Sequence, residues 1–293
     1  MTHVEAEIAT QPAAWVRAAS LDLGPLPRRG QRVAVVGCGT SWFMAMAYAA
    51  RRESLGQGET DAFQASEFPR GRDYDLVVAI TRSGTTTEAV DLLAGLSGPS
   101  LAIVGDPAGP AAAAARTAIT LPFADERSVV QTRFATTALA LLRAGLGEDV
   151  AALAEHARQA LHAPLPLDPA TVEQVTFVGQ GWTVGLAQEA ALKSREAAAF
   201  WTEAYPAMDY RHGPITIAAP GRAVWSFGPP PPGLVDEVTA TGARFVGDDG
   251  GATLDPMAQL ILAQRFAVAL AQHRGLDPDA PRNLTRAVVL DQP

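Results

Sequence analysis

At 293 residues, 48% hydrophobic and 18% charged, the chain can bury a large core, which excludes global disorder, and it is comfortable for two domains of roughly 140 residues each. Its formal charge of −8, with no block of Lys and Arg, makes it a poor partner for a nucleic-acid backbone. A single cysteine excludes an internal disulfide and any multi-cysteine metal site, and no apolar run reaches the roughly 20 residues of a membrane span.

Residues 1–30 are expected to form a helical lead-in; they hold Glu5, Glu7, Gln11 and Arg17 and no signal-peptide core, which points to the cytoplasm. From there short apolar runs alternate with amphipathic stretches, the pattern of α/β units around a parallel sheet. Val33–Val36, Leu76–Ile80 and Leu101–Val104 read as buried strands; Trp42–Leu55, Thr87–Leu96 and Thr132–Ala144 read as helices. These fill a first unit, 31–148. A connecting helix over 149–162 and the break Ala163-Pro-Leu-Pro-Leu-Asp-Pro169 make a linker at 149–170. The pattern restarts in a second unit, 171–293: Val175-Thr-Phe-Val-Gly-Gln-Gly181 echoes Val33-Ala-Val-Val-Gly-Cys-Gly39, which suggests a duplicated α/β unit. A helix follows over 184–201, then strands at Ala223–Phe227 and Ala243–Val246, a long apolar helix from Pro256 to Gln272, and an extended tail containing Pro281–Arg286.

Four constellations carry the chemistry. Gly37-Cys-Gly-Thr-Ser41, at a strand–helix junction, is either an ordinary turn capped by Thr40 or Ser41 or an anion-binding helix start; taken alone, the ordinary turn is the better reading. It is not a dinucleotide fingerprint, because Trp42 stands where the third glycine belongs. Thr81-Arg-Ser-Gly-Thr-Thr-Thr87 ends the neighbouring strand with five hydroxyls, a glycine and an arginine; two hydroxyl-rich loops on adjacent strand ends favour a phosphate nest over a polar loop with Thr86 or Thr87 as helix cap. On the helix 184–201, Glu189, Lys193 and Glu196 fall within about 60° of one another. Lys193 is the only lysine in the chain and shares an apolar stripe with Leu186, Ala190 and Ala197; the alternative is a surface Glu–Lys pair. His212, in Tyr210-Arg-His-Gly-Pro214, sits on an exposed loop where it can titrate near neutrality, unlike His3, His156, His162 and His273.

With Glu7-Ile-Ala-Thr-Gln-Pro12, Glu126-Arg-Ser-Val-Val-Gln-Thr-Arg133, Glu189-Ala-Ala-Leu-Lys-Ser-Arg-Glu196, Arg211-His-Gly-Pro214 and Pro281-Arg-Asn-Leu284 in order beside these loops, the chain resembles the SIS (sugar isomerase) family along nearly its whole length, and within it the isomerase portion of glutamine–fructose-6-phosphate aminotransferase. The resemblance implies an α/β fold of two flavodoxin-like SIS subdomains, each a parallel sheet sandwiched by helices, assembled as a homodimer with shared sites. By position it implies a phosphate loop of Ser41, Thr81, Arg82, Ser83 and Thr86, with Cys38, Gly39, Thr40 and Val129 on the sugar side. It gives Glu196 as the base that shuttles a proton between C1 and C2, and His212 as the ring-opening residue, reaching the site from the partner subunit. Lys193 aligns with a sugar-contacting lysine and Glu189 with a structuring carboxylate. Two departures matter. No glutaminase domain is expected ahead of the match, since no nucleophilic cysteine precedes it and the chain opens Met1-Thr-His, and the family's tail lysine is replaced by Arg286, which cannot form a Schiff base.

The expectation is therefore an enzyme acting on a sugar phosphate or amino-sugar 6-phosphate, as an aldose–ketose isomerase or deaminase, without cofactor or metal, and with no nucleic-acid or membrane partner. A non-catalytic sugar-phosphate sensor is the alternative; the thirty-odd residues before the first strand are too few for the DNA-binding domain such regulators carry. Stereochemistry is expected to depend on loop positions such as Gln131, Gln180 and Asp209.

Overall fold

The computed structural model describes residues 1–247 and 254–290. Two short helices, α1 (His3–Ala9) and α2 (Gln11–Ala19), lead into a sheet of five parallel strands: β1 (Val33–Gly37), β2 (Thr60–Gln64), β3 (Leu76–Thr81), β4 (Ser100–Val104) and β5 (Thr117–Thr120). Helices α3 (Thr40–Ser54), α4 (Thr87–Ala94) and α5 (Pro110–Ala114) link these strands; α6 (Arg133–Gly145) and α7 (Val150–His162) follow. The second sheet holds β6 (Gln174–Gly179), β7 (Thr202–Pro206), β8 (Arg222–Phe227) and β9 (Arg244–Val246), with helices α8 (Thr183–Ala198), α9 (Leu234–Ala240) and α10 (Pro256–His273). Strand orders are β2-β1-β3-β4-β5 and β7-β6-β8-β9, all parallel. The first is the flavodoxin-like order, in which the chain reverses its direction of travel between β1 and β3. No helix among the described residues is long and apolar enough to cross a membrane.

The period-two alternation of the strands decides the layers. Val33 and Val35, Val78 and Ile80, Leu101 and Ile103 face one core; Ala34 and Val36, Val77 and Ala79, Ala102 and Val104 face another, under α4 and α5. In the second sheet Val175, Phe177, Trp225 and Phe227 face the same first core, and Val178 and Val224 pack under α9. The two units therefore share one central core, filled by α3, α6, α8 and α10, and each carries a smaller core on its outer face. The linker helix belongs to that body, packing Val150, Leu153, Ala157 and Ala160 into the central core.

An ionic clamp holds the seam. Arg143 of α6 pairs with Asp255 at 2.8 Å and with Glu148 at 2.7 Å, while Asp255 also accepts the Met257 N–H and so caps α10. Arg51 and Arg143 both stack on Trp182, just before α8.

The strands expected at 33–36, 76–80, 101–104, 175 onward, 223–227 and 243–246 are present within a residue or two of their bounds. Strands β2, β5 and β7 and helices α5 and α9 were not anticipated. β2 and β7 are edge strands whose Thr60-Asp-Ala-Phe-Gln64 and Thr202-Glu-Ala-Tyr-Pro206 are too polar to stand out as apolar runs. The helix expected over 184–201 stops at Ala198, because Ala199 takes a left-handed conformation (φ 47°) and closes the last turn. The tail's last three residues, 291–293, lie outside the described residues.

Where α8 crosses α3 the backbones nearly touch. A Cβ on Gly185 would lie 2.4 Å from the Phe43 carbonyl oxygen and 2.8 Å from the Ala47 nitrogen. Gly185→Ala is expected to cost about 1–3 kcal/mol through overpacking, read by urea denaturation. Wild-type stability in that variant would show that the crossing can widen freely.

Candidate functional site

Both sheets reverse their strand order, and at the carboxyl ends of the strands there the two sets of loops are used differently. In the second sheet Thr183 Oγ1 donates to the Phe227 carbonyl at 2.9 Å, and the Gln180 side chain donates to the Pro229 carbonyl at 3.0 Å, so the loops after β6 and β8 close on each other. In the first sheet the loops after β1 and β3 border a cavity of about 180 Å³. Ser41, Thr81, Ser83 and Thr86 line it, and among the described residues the hydroxyls of Ser41, Thr81 and Thr86 make no hydrogen bond. Ser83 Oγ accepts from the Thr85 amide and hydroxyl, which fixes the loop.

The expected cap roles at these loops are corrected. Gly39, not Thr40 or Ser41, precedes the first turn of α3, at φ 53° and ψ −123°, a conformation that favours glycine. Thr86 stands at the start of α4 without a side-chain cap bond. The hydroxyls are thereby left to the cavity.

Arg82 lines the cavity, yet its guanidinium is committed elsewhere: Nη1 donates to the Ser128 carbonyl at 2.9 Å and the Val129 carbonyl at 3.3 Å, and Nη2 to the Arg286 carbonyl at 3.0 Å. It braces the wall formed by residues 125–132 and by the tail. Two carboxylates fix the same loop from behind. Glu7 accepts from the Arg127 amide, and Glu126 accepts from the amides of Thr132, Arg133 and Phe134. The tail closes another side: the Val288 carbonyl accepts from the Thr87 amide at 3.2 Å, and Arg286 binds Asp125 and the Glu126 carbonyl.

The second unit contributes through α8. Glu196 lines the cavity, and Lys193, buried beside it, donates to Glu196 and, at 2.9 Å, to Thr40 Oγ1 at the start of α3. Glu189 lies 3.6 Å from the Lys193 nitrogen and is 1% exposed; among the described residues its oxygens make no hydrogen bond of good geometry, although Thr40 and Lys193 stand close enough to favour its charge. Burial pushes the Glu189 carboxyl up to about 8, more than the Lys193 charge can offset. Burial opposes the Lys193 ammonium, but Glu189 and Glu196 outweigh it and hold its pKa above the ordinary value. Glu196 also lines a second, larger cleft of about 630 Å³, between the end of α8 and residues 275–284.

Cys38, Gly39, Thr40 and Val129 all border the cavity. Burial, and then the Glu88 charge, push the Cys38 thiol up to about 11, so it stays protonated at neutral pH. Of the three positions proposed to govern stereochemistry, Gln131 lines the cavity. Gln180 and Asp209 are exposed on the second unit and do not reach it. His212, at the end of a short 3-10 turn (Asp209–His212), is exposed and not part of the cavity wall. Sequence reasoning missed the tail residues Thr285, Ala287 and Val288, which line the cavity by main-chain position rather than by any side-chain signature.

Residues 28–144 match the family model described as SIS domain. Glutamine–fructose-6-phosphate aminotransferase (isomerizing) of Methanothermobacter thermautotrophicus is 27% identical over an alignment of 309 positions, covering 89% of this chain and 52% of the relative. The protein of the same name from Aeropyrum pernix is 35% identical over 140 positions, 39% of this chain and 23% of the relative. The chain thus spans about half the length, or less, of the curated relatives it matches. Among solved structures, glucosamine-6-phosphate deaminase from Thermotoga maritima superposes with a TM-score of 0.87 at 22% identity, covering 99% of this chain and 100% of that one. Tagatose-6-phosphate ketose/aldose isomerase from Escherichia coli gives 0.79 at 21% identity, covering 100% and 97%. At these identities the likenesses establish the fold: two SIS-type parallel sheets flanked by helices.

The raised Glu189 pKa has a sign that can be checked. Below about 4.5, the ordinary carboxylate value, folded and unfolded chains both hold the proton. Between there and about 8 only the folded chain holds it, so stability falls as pH rises through this window and levels off above it. Glu189→Gln cannot titrate. Its stability relative to the wild type, measured by urea denaturation, is expected to be greater at pH 8 than at pH 5; an unchanged difference would mean that Glu189 is ionised in the folded chain.

Proposed function

We propose that this chain, which carries an SIS domain over residues 28–144, is an enzyme that acts on a sugar phosphate or amino-sugar 6-phosphate by moving a proton between C2 and C1, as an isomerase or a deaminase. One observation carries the reading: the open crevice of the first sheet joins a loop of unbonded hydroxyls to a carboxylate delivered from the second unit. The named activities of the two solved structures above belong to the same class of chemistry, which supports it.

In this mechanism Ser41, Thr81, Ser83 and Thr86, with the loop amides, anchor the phosphate and so fix the distance to the reacting carbons. Arg82 keeps the wall in place. Cys38, Gly39, Thr40 and Val129 flank the sugar. Glu196 takes the C2 proton of an aldose or amino sugar and returns it to C1, or takes the C1 proton of a ketose and returns it to C2, with Lys193 orienting the carboxylate. From a ketose or aldose this passes through an enediol. From a 2-amino sugar it passes through an enolamine, and the resulting C2 imine adds water and releases ammonia. Arg286 holds the tail to Asp125 and offers no amine for a covalent intermediate. His212 is proposed to open the sugar ring from a second subunit, since it lies away from the cavity of its own chain. The protein is proposed to act as a cytoplasmic homodimer without cofactor.

The test is a panel of hexose and hexosamine 6-phosphates, followed by product analysis, ammonia release and deuterium uptake at C2. Glu196→Gln is expected to lower turnover by roughly 10²–10⁴-fold with affinity nearly unchanged, whereas Ser83→Ala with Thr86→Ala weakens binding. Wild-type protein that binds panel members, yet exchanges no C2 hydrogen and releases no ammonia, would be the non-catalytic sensor instead. For the shared site, Glu196→Gln and His212→Ala chains, each inactive alone, are expected to recover partial activity when mixed and allowed to exchange subunits; no recovery would place His212 outside the reaction.

A further inference from the structure

Gln131 is anomalous within the cavity wall. The loop that carries it is held firmly on both sides: Ser128 and Val129 give their carbonyls to Arg82, and the Thr132 amide and hydroxyl both donate to Glu126 Oε1, at 2.7 and 3.0 Å. Between these fixed points the Gln131 side chain faces the cavity, and its carbonyl oxygen is buried without a hydrogen-bond partner. Its amide nitrogen makes no hydrogen bond among the described residues either. An amide presents one acceptor and two donors, and among the described residues this one spends none of them on the protein. A buried acceptor left unpaired costs about 1–3 kcal/mol, and the fold does not need this one, since neighbouring side chains secure the loop.

Resting on the reading that the cavity takes a sugar phosphate, we propose that Gln131 is its specificity-determining residue, reading a hydroxyl or amino group on the sugar carbons while the hydroxyl loop holds the phosphate. The placement supports it. Gln131 stands on the same loop as Val129, whose carbonyl accepts from Arg82, and it lines the same cavity as Glu196. A site built to hydrogen-bond a polar substituent rejects analogues that lack it, because its own groups are then stranded. An amide can donate and accept at once, and so suits a carbon bearing hydroxyl or amine; a purely anionic or purely apolar side chain would not.

The experiment uses the 293-residue chain, with Gln131→Met, which keeps length and flexibility but removes the amide, and Gln131→Glu, which keeps the acceptor and removes the donors. Affinity for each member of a panel of epimeric hexose 6-phosphates and their 2-amino counterparts is measured by calorimetry, with kcat/KM wherever turnover occurs, and inorganic phosphate serves as the control ligand. Gln131→Met is expected to weaken the preferred sugar by about 5- to 100-fold while flattening the preference among panel members. Phosphate affinity and the thermal midpoint should not fall, since no bond within the protein is lost. Gln131→Glu is expected to shift the preference toward the amino sugars, whose ammonium pairs with a carboxylate. A wild-type protein that discriminates within the panel, matched by a Gln131→Met variant with the same ratios, would overturn the proposal and leave the sugar-phosphate reading standing. A fall in thermal midpoint with unchanged ratios would overturn it too, by showing a purely structural role. If the wild type binds inorganic phosphate but no member of the panel, the sugar-phosphate reading fails, and the proposal with it.

Discussion

The site depends on how closely α8 can lie on α3. Gly185 has no side chain where the Phe43 carbonyl and Ala47 occupy the space, so the two helices meet backbone to backbone. About two turns further along α8, that closeness brings Lys193 within 2.9 Å of Thr40 at the very start of α3. Glu196 follows at the mouth of a crevice built otherwise from the first unit and the tail. With a wider crossing, the lysine would lose its hydroxyl partner and the carboxylate would move away from the hydroxyl loops. The surrounding contacts serve the same end: Arg143 ties α6 to the cap of α10, and two arginines stack on Trp182 beside the start of α8.

The two sheets show how similar openings come to different uses. Gly39 and Gly181 share φ 53°, and each precedes a helix that starts at a threonine or close to it. In the second unit the threonine hydroxyl is spent on the end of the neighbouring strand. In the first unit Thr40 accepts from Lys193, while Ser41, two residues after Gly39 as Thr183 is after Gly181, makes no side-chain hydrogen bond among the described residues, and polar groups withheld from the fold are what a small polar ligand requires. Arg82 is the instructive exception. Its charge sits inside the hydroxyl-rich motif, but the guanidinium holds three main-chain carbonyls and so works through the wall rather than from it.

The triad on α8 is a problem in charge placement. Two carboxylates stand beside one buried ammonium, and burial raises the pKa of the deeper of them, Glu189. This leaves Lys193 free to fix Glu196, the only member with access to the cavity. A tail of main-chain carbonyls and Arg286 then covers one side of the cavity that Glu196 lines.

The sequence by itself determined much of this. Apolar runs marked the central strands because both faces of a parallel sheet are buried. Glycine and hydroxyl residues marked the two loops at the first sheet's reversal, and the spacing of Glu189, Lys193 and Glu196 put them on one edge of one helix. The edge strands β2 and β7 escaped because a strand paired on one side keeps polar residues and carries no apolar run. Only the tertiary structure decided how the two similar loop openings are used, since that turns on whether the Thr183 hydroxyl reaches the Phe227 carbonyl, a contact between residues 44 positions apart. It also decided that Arg82 braces rather than lines with charge, that Gln131 alone of three candidate loop residues faces the cavity, and that the tail contributes carbonyls. Each of these is a matter of where a group finds its partner across the fold, and local periodicity holds no record of that.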